Sequence, residues 1–195
     1  MGGKSYDAVV SIVFLIALLS LFPVMSCTKK TTEPENHHGK GRVEWEKTFG
    51  GSSYEYGFSV LQTSDGGYII AGTTYLLRAY ETDVYLIKTD INGDTLWTKT
   101  YGENDIDEAN SIQQTSNGGY IIAGWTNSFG EGWEDVYIIS ADANGDILWT
   151  KTYGGTLRDF SRSIQQTSDG GYIIGGYTNS FGAGYYDVYL LKIEP

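Results

Sequence analysis

Cysteine is almost absent: the chain of 195 residues has one, Cys27. No intramolecular disulfide can form, so the fold must stand on packing. Histidine is nearly as scarce. His37 and His38 are the only two, adjacent in a polar stretch, and residues 43–195 contain none. That removes Ser-His and Cys-His catalysis, and most transition-metal sites, from the body of the chain. The histidine pair has no third ligand at a fixed position and reads as solvated, so no metal and no cofactor are expected. Positive charge is short as well. Thirteen Lys+Arg stand against 24 Asp+Glu, for a net −11; residues 28–42 carry +2 and the N-terminal segment none, which leaves −13 on residues 43–195. A body that acidic repels nucleic acid and anionic lipid. Solubility alone accounts for the charge. Sustained helical periodicity is missing throughout, and no apolar run reaches the ~20 residues of a bilayer-spanning helix.

The longest apolar run, Ala8 to Phe22, is interrupted only by Ser11 and Ser20 and follows Lys4. It reads as a signal peptide over residues 1–26. Val24-Met25-Ser26-Cys27 resembles the lipobox of bacterial lipoproteins. The resemblance implies that Cys27 becomes the first mature residue and carries acyl chains that tie the protein to a membrane. Thr28 follows where an Asp would imply inner-membrane retention, so the expected location is the bacterial cell envelope, at the outer membrane or cell surface. Residues 27–42 hold Pro34, Gly39 and Gly41 and no apolar run, and read as a flexible tether.

What fills residues 43–195 is one pattern written three times at a spacing of 52 residues. Asp65-Gly66-Gly67-Tyr68-Ile69-Ile70 returns at Asn117–Ile122 and at Asp169–Ile174; Asp83-Val84-Tyr85 returns at Asp135 and Asp187. Trp45, Trp97 and Trp149 keep the same step, dividing the body into repeats of about 45–96, 97–148 and 149–195. The second and third copies agree at 28 of 47 aligned positions, whereas the first departs between Thr74 and Thr82. Such a period marks units that bury their apolar faces against one another.

Within a repeat the pattern predicts four short strands. Phe58 to Thr63, with Ser111 to Thr115 and Ser163 to Thr167, is the first; Tyr68 to Thr73 the second; Val84 to Thr89 the third; Leu96 to Tyr101 the fourth. Asp-Gly and Asn-Gly pairs between them supply the positive φ of tight hairpins. Tyr68-Ile69-Ile70-Ala71 and Val84-Tyr85-Leu86-Ile87 are apolar at successive positions, so both faces of these strands need cover. With no helix to provide it, the cover must be the next sheet. The expected class is all-β: a β-propeller-type domain of four-stranded antiparallel blades. The sequence of Asp/Asn-Gly-Gly-Tyr-Ile-Ile-x-Gly, Asp-Val-Tyr and Asn-Gly-Asp-x-Leu-Trp-x-Lys-Thr-Tyr-Gly resembles the β-propeller repeats of bacterial surface and secreted proteins. Ala141–Trp149 is also distantly similar to quinoprotein-like propellers, whose members include quinone-dependent dehydrogenases and an outer-membrane scaffold lipoprotein.

Trp45–Gly50 reads as a fourth strand without its first three, and the third repeat offers three strands without a fourth. These complementary ends fit a homodimer that closes a six-bladed ring; the competing reading is an incomplete or degenerate array. The recurring acids (Glu55, Asp107, Asp159 and Asp83, Asp135, Asp187) are expected to accept turn hydrogen bonds rather than catalyse. Asp90–Asp94 and Asp142–Asp146 lack the closing Glu of a calcium loop and read as hairpins. Aromatic residues of the second-to-third connection, Trp125, Trp133, Tyr177 and Tyr185, are the candidate ligand contacts, and Phe129 and Phe181 read as packing wedges. The expected function is a non-enzymatic, surface-anchored lipoprotein that binds or scaffolds a glycan or protein partner. The alternative is a propeller enzyme, glycan-cleaving or quinone-dependent.

Overall fold

The computed structural model describes residues 41–75 and 81–195, within which Val43–Pro195 is a compact unit. The expected signal peptide, Cys27, both histidines and the tether as far as residue 40 lie outside the described residues, as does most of the divergent stretch after Thr74. The described residues are all-β. Strands β1 (Glu55–Gln62), β2 (Tyr68–Tyr75), β3 (Thr82–Thr89) and β4 (Thr95–Tyr101) form the first sheet. The second is β5 (Asp107–Gln114), β6 (Tyr120–Thr126), β7 (Asp135–Ala141) and β8 (Ile147–Tyr153). The third has β9 (Asp159–Gln166), β10 (Tyr172–Thr178) and β11 (Asp187–Ile193). The strand ladders of the described residues are antiparallel between sequence neighbours, and one isolated parallel bridge joins Thr82 to Ile106.

Each hairpin between first and second strands is closed by one side chain. Asp65 accepts from the Thr63 hydroxyl (2.5 Å) and the Gly67 amide (3.0 Å), while Gly66 takes φ +84°. Asn117 and Asp169 repeat the arrangement. Lys88 and Lys192 add ion pairs of 2.9 Å to Asp65 and Asp169.

The first strands start three or four residues earlier than alternation predicts. A β-bulge is the reason: Phe58, Asn110 and Arg162 are each left without a ladder partner, which shifts the side-chain phase and hides the strand start. Opposite the bulge the backbones close up. A Cβ on Gly72, Gly124 or Gly176 would overlap the carbonyl oxygen of Tyr56, Glu108 or Phe160, which explains the glycine after Tyr-Ile-Ile-x.

Stacking is face to face. In the middle sheet Tyr120, Ile122, Tyr137 and Ile139 pack on Ile69, Ala71, Val84 and Leu86 of the first sheet. The alternate residues Ile121, Ala123, Val136 and Ile138 pack on Ile164, Tyr172 and Ile174 of the third. Accordingly β7 is buried at all seven positions. The sheets meet most closely along their first strands: β5 touches β1, β2 and β3, and β9 touches β5, β6 and β7. There Ser59 accepts from the Ile112 amide and Ser111 from the Ile164 amide, both at 3.3 Å.

Trp45–Gly50, expected as a fourth strand, joins no ladder among the described residues of the single chain; the segment rests on the outer face of the first sheet, with Trp45 against Tyr68 at 5.6 Å.

Truncating Ile138 to Ala should lower unfolding free energy by about 2–5 kcal/mol in chemical denaturation, since the residue is locked between two sheets. The same change at exposed Ile91 should cost about 0.5 kcal/mol or less. Equal losses at both positions would contradict the stacked arrangement.

Candidate functional site

The recurring acids gather at one end of the sheets, where β5, β7 and β9 begin and β6, β8 and β10 finish. Asp107 accepts from the Glu103 amide (3.0 Å) and the Ser128 hydroxyl (2.7 Å). Asp159 accepts from the Gly155 amide (2.9 Å), the Ser180 hydroxyl (2.5 Å) and the Thr178 hydroxyl. Asp135 takes the Glu131 amide at 2.7 Å, and Asp187 the Ala183 amide at 2.8 Å. These bonds explain the Asn-Ser-Phe-Gly motif. Its Ser reaches the first-strand acid. Its Phe meets the third-strand tyrosine, Phe129 on Tyr137 (5.4 Å) and Phe181 on Tyr189 (5.7 Å); Phe129 packs against the inter-sheet core as a wedge, whereas Phe181 stays 49% exposed and does not. Its Gly takes positive φ beside the third-strand acid.

Carboxylates also face one another between sheets. Asp83 and Asp107 meet over Gly102, and Asp135 and Asp159 over Gly154, where a Cβ would strike both side chains. That contact explains the glycine of the Tyr-Gly pair at the end of β4 and β8. The Oδ1 atoms of Asp83, Asp107 and Asp135 are buried without a protein hydrogen bond. Burial, then the charge of Asp107 and that of Glu81, raises the Asp83 carboxyl above its ordinary range. Burial drives Asp135 from 3.8 up to about 6; the Glu131 amide works against the rise, and the charges of Asp159 and Glu131 add to it. Among the described residues no three His, Cys, Asp or Glu side chains group as a metal site.

The four aromatic candidates do not form one surface. Trp125 and Tyr177 belong to strands β6 and β10, not to the connections, because the strands run further than the apolar run implies. Both touch Phe160, at 5.3 and 4.9 Å, and Tyr177 also meets Tyr186 edge-on at 5.2 Å. Arg162 caps this cluster: its guanidinium donates to the Tyr177 hydroxyl (3.0 Å) and to Asn110 (3.3 Å). Beneath it burial raises the Glu108 carboxyl, with a Trp125 hydrogen bond and the Arg162 charge opposing. Trp133 stands apart, 62% exposed, with the Arg158 guanidinium 5.0 Å from its ring and Arg158 paired to Glu134 at 3.2 Å. Tyr185 is 89% exposed on the next loop.

Sequence reasoning missed Arg158, Arg162 and Phe160. Their signal is difference: they stand where the preceding copy has Ile106, Asn110 and Glu108. These repeat-breaking residues equip one inter-sheet edge with a buried ring, Phe160, and two guanidinium groups.

No family model matches the chain. A stretch of 113 residues is 28% identical to "Regulatory protein FlaEY" of Caulobacter vibrioides, covering 51% of this chain. The match spans 12% of the length of that protein.

The raised Asp135 gives a pH signature. Its folded carboxyl binds a proton up to about pH 6, whereas the unfolded one releases it near 3.8. The contribution is therefore complete below the unfolded value and lost as pH climbs through the folded one, a change on the order of 2–3 kcal/mol. Thermal melts should show stability falling between pH 4 and 6.5, and Asp135→Asn should flatten that fall. An unchanged slope in the variant would refute the assignment.

Proposed function

We propose that the chain is a lipid-anchored binding module of a bacterial cell envelope, with sheets arranged as β-propeller blades and an exposed aromatic loop edge that recognises polysaccharide. The observation that carries the reading is the pair Trp133 and Tyr185, large rings held mostly in solvent on adjacent β2–β3-type connections. Exposed rings on connections held between paired strands stack on sugar faces, and Arg158 and Glu134 beside Trp133 provide a donor and an acceptor for hydroxyls. Three features support the blade arrangement: strand order within each sheet, face-to-face packing, and convergence along β1, β5 and β9. The Val24–Cys27 lipobox supports the anchor. Binding is preferred over turnover because the best-buried carboxylates, Asp107 and Asp159, are each committed to loop amides and hydroxyls.

Screening the purified protein on a glycan array should give saturable binding, which Trp133→Ala and Tyr185→Ala each weaken by roughly tenfold or more at unchanged circular dichroism. Capture of a protein partner without any glycan would replace the polysaccharide reading with a scaffolding one, and release of reducing sugar would replace it with an enzyme. For the anchor, an alkyne-labelled fatty acid fed to expressing bacteria should enter the protein and its membrane fraction, and Cys27→Ser should abolish both.

A further inference from the structure

The two inter-sheet interfaces are copies of one interface. Between the first and second sheets, Val84 and Leu86 of β3 press into the face made by Tyr120, Ile122, Tyr137 and Ile139. Between the second and third, Val136 and Ile138 of β7 do the same against Tyr172, Ile174, Tyr189 and Leu191. All four aliphatic knobs are buried. The next pair in the series, Val188 and Leu190 of β11, is 89% and 70% exposed. The matching receiving face is only partly covered, with Ile70 and Tyr85 half-buried and Ile87 buried. In the first sheet Gly57, Ile70, Tyr85 and Ile87 line an apolar depression together with Phe49. Val60, whose counterparts Ile112 and Ile164 are buried, is 64% exposed beside it.

The segment Trp45–Phe49 makes the match more specific. On the second sheet, β4 lays Trp97 against Tyr120 (6.2 Å), pairs Lys99 with Asp146 (2.8 Å) and crowds Gly145. On the first sheet, residues 45–49 make the same contacts one repeat earlier: Trp45 on Tyr68 (5.6 Å), Lys47 with Asp94 (2.9 Å), and crowding of Gly93. These residues thus occupy the place of a fourth strand belonging to a preceding sheet, without that sheet. Among the described residues β11 is hydrogen-bonded on one side, to β10.

We propose that a second copy of this chain docks head to tail, the outer face of its third sheet covering the outer face of the first, and that residues 45–49 become the fourth strand of the partner's third sheet. The register follows from the existing ladders. Val84 pairs with Tyr101 and Leu86 with Lys99, and Val136 with Tyr153 and Ile138 with Lys151. One repeat on, Val188 of one copy pairs with Phe49 of the other, and Leu190 with Lys47. Strand addition of this kind satisfies an exposed edge and buries the apolar face in one step. The contact is heterologous, so it closes only if the rotation per copy divides a full turn. With the three sheets described in each copy, two copies bring six blades together, inside the range in which propellers close. The number two rests on the propeller arrangement proposed above, whereas the docking interface does not.

Native mass spectrometry of the detergent-solubilised full chain should give twice the single-chain mass, reduced to one chain by Val188→Asp with Leu190→Asp at unchanged circular dichroism. In a Cys27→Ser background, Lys47→Cys on one chain and Leu190→Cys on another should form a disulfide on mixing, and neither should pair with itself. A wild-type chain of single mass, or the absence of the mixed disulfide, overturns the docking. A mixed disulfide accompanied by a ladder of masses above two copies keeps the interface and overturns the six-bladed ring.

Discussion

Everything in this molecule depends on the middle sheet being apolar on both sides. A strand whose successive residues are Tyr-Ile-Ile-Ala or Val-Tyr-Ile-Ile cannot turn either face to water, and the described residues include no helix to cover them. Each sheet must take its neighbours as solvent. The bulge and the glycine opposite it serve this requirement by bringing backbones close where the first strands converge. The stability of any one sheet is therefore a property of the stack.

Much of that was legible before any coordinates. Hairpin turns at Asp65, Asn117 and Asp169 follow from local chemistry, in which a carboxylate or amide closes the loop onto its own backbone, so sequence alone places them. Consecutive apolar residues likewise announce strands buried on both faces. The bulge at Phe58, Asn110 and Arg162 was not legible, since it depends on which residue a neighbouring strand leaves unpaired. Nor was the state of Trp45–Gly50. Its side chains follow the fourth-strand pattern, yet a strand exists only where another strand accepts its hydrogen bonds.

The candidate site divides along the same line. Recurring acids read correctly as acceptors for turns because loop geometry is local. Their meeting in pairs over Gly102 and Gly154 is long-range and had no signature beyond the glycine itself. Aromatic residues were identified as a group, but the structure distributes them by exposure. Trp125 and Tyr177 share Phe160 within the strands, while Trp133 and Tyr185 face solvent. A single copy of the repeat cannot predict that sorting, because it turns on what the adjacent copy holds at the facing position.

Since each sheet hands its successor the surface it received from its predecessor, length becomes a discrete variable. Unequal recombination between the coding copies would add or delete a whole layer while reusing an interface already tested by selection. Evolution could thus tune the number of stacked sheets without inventing a new contact.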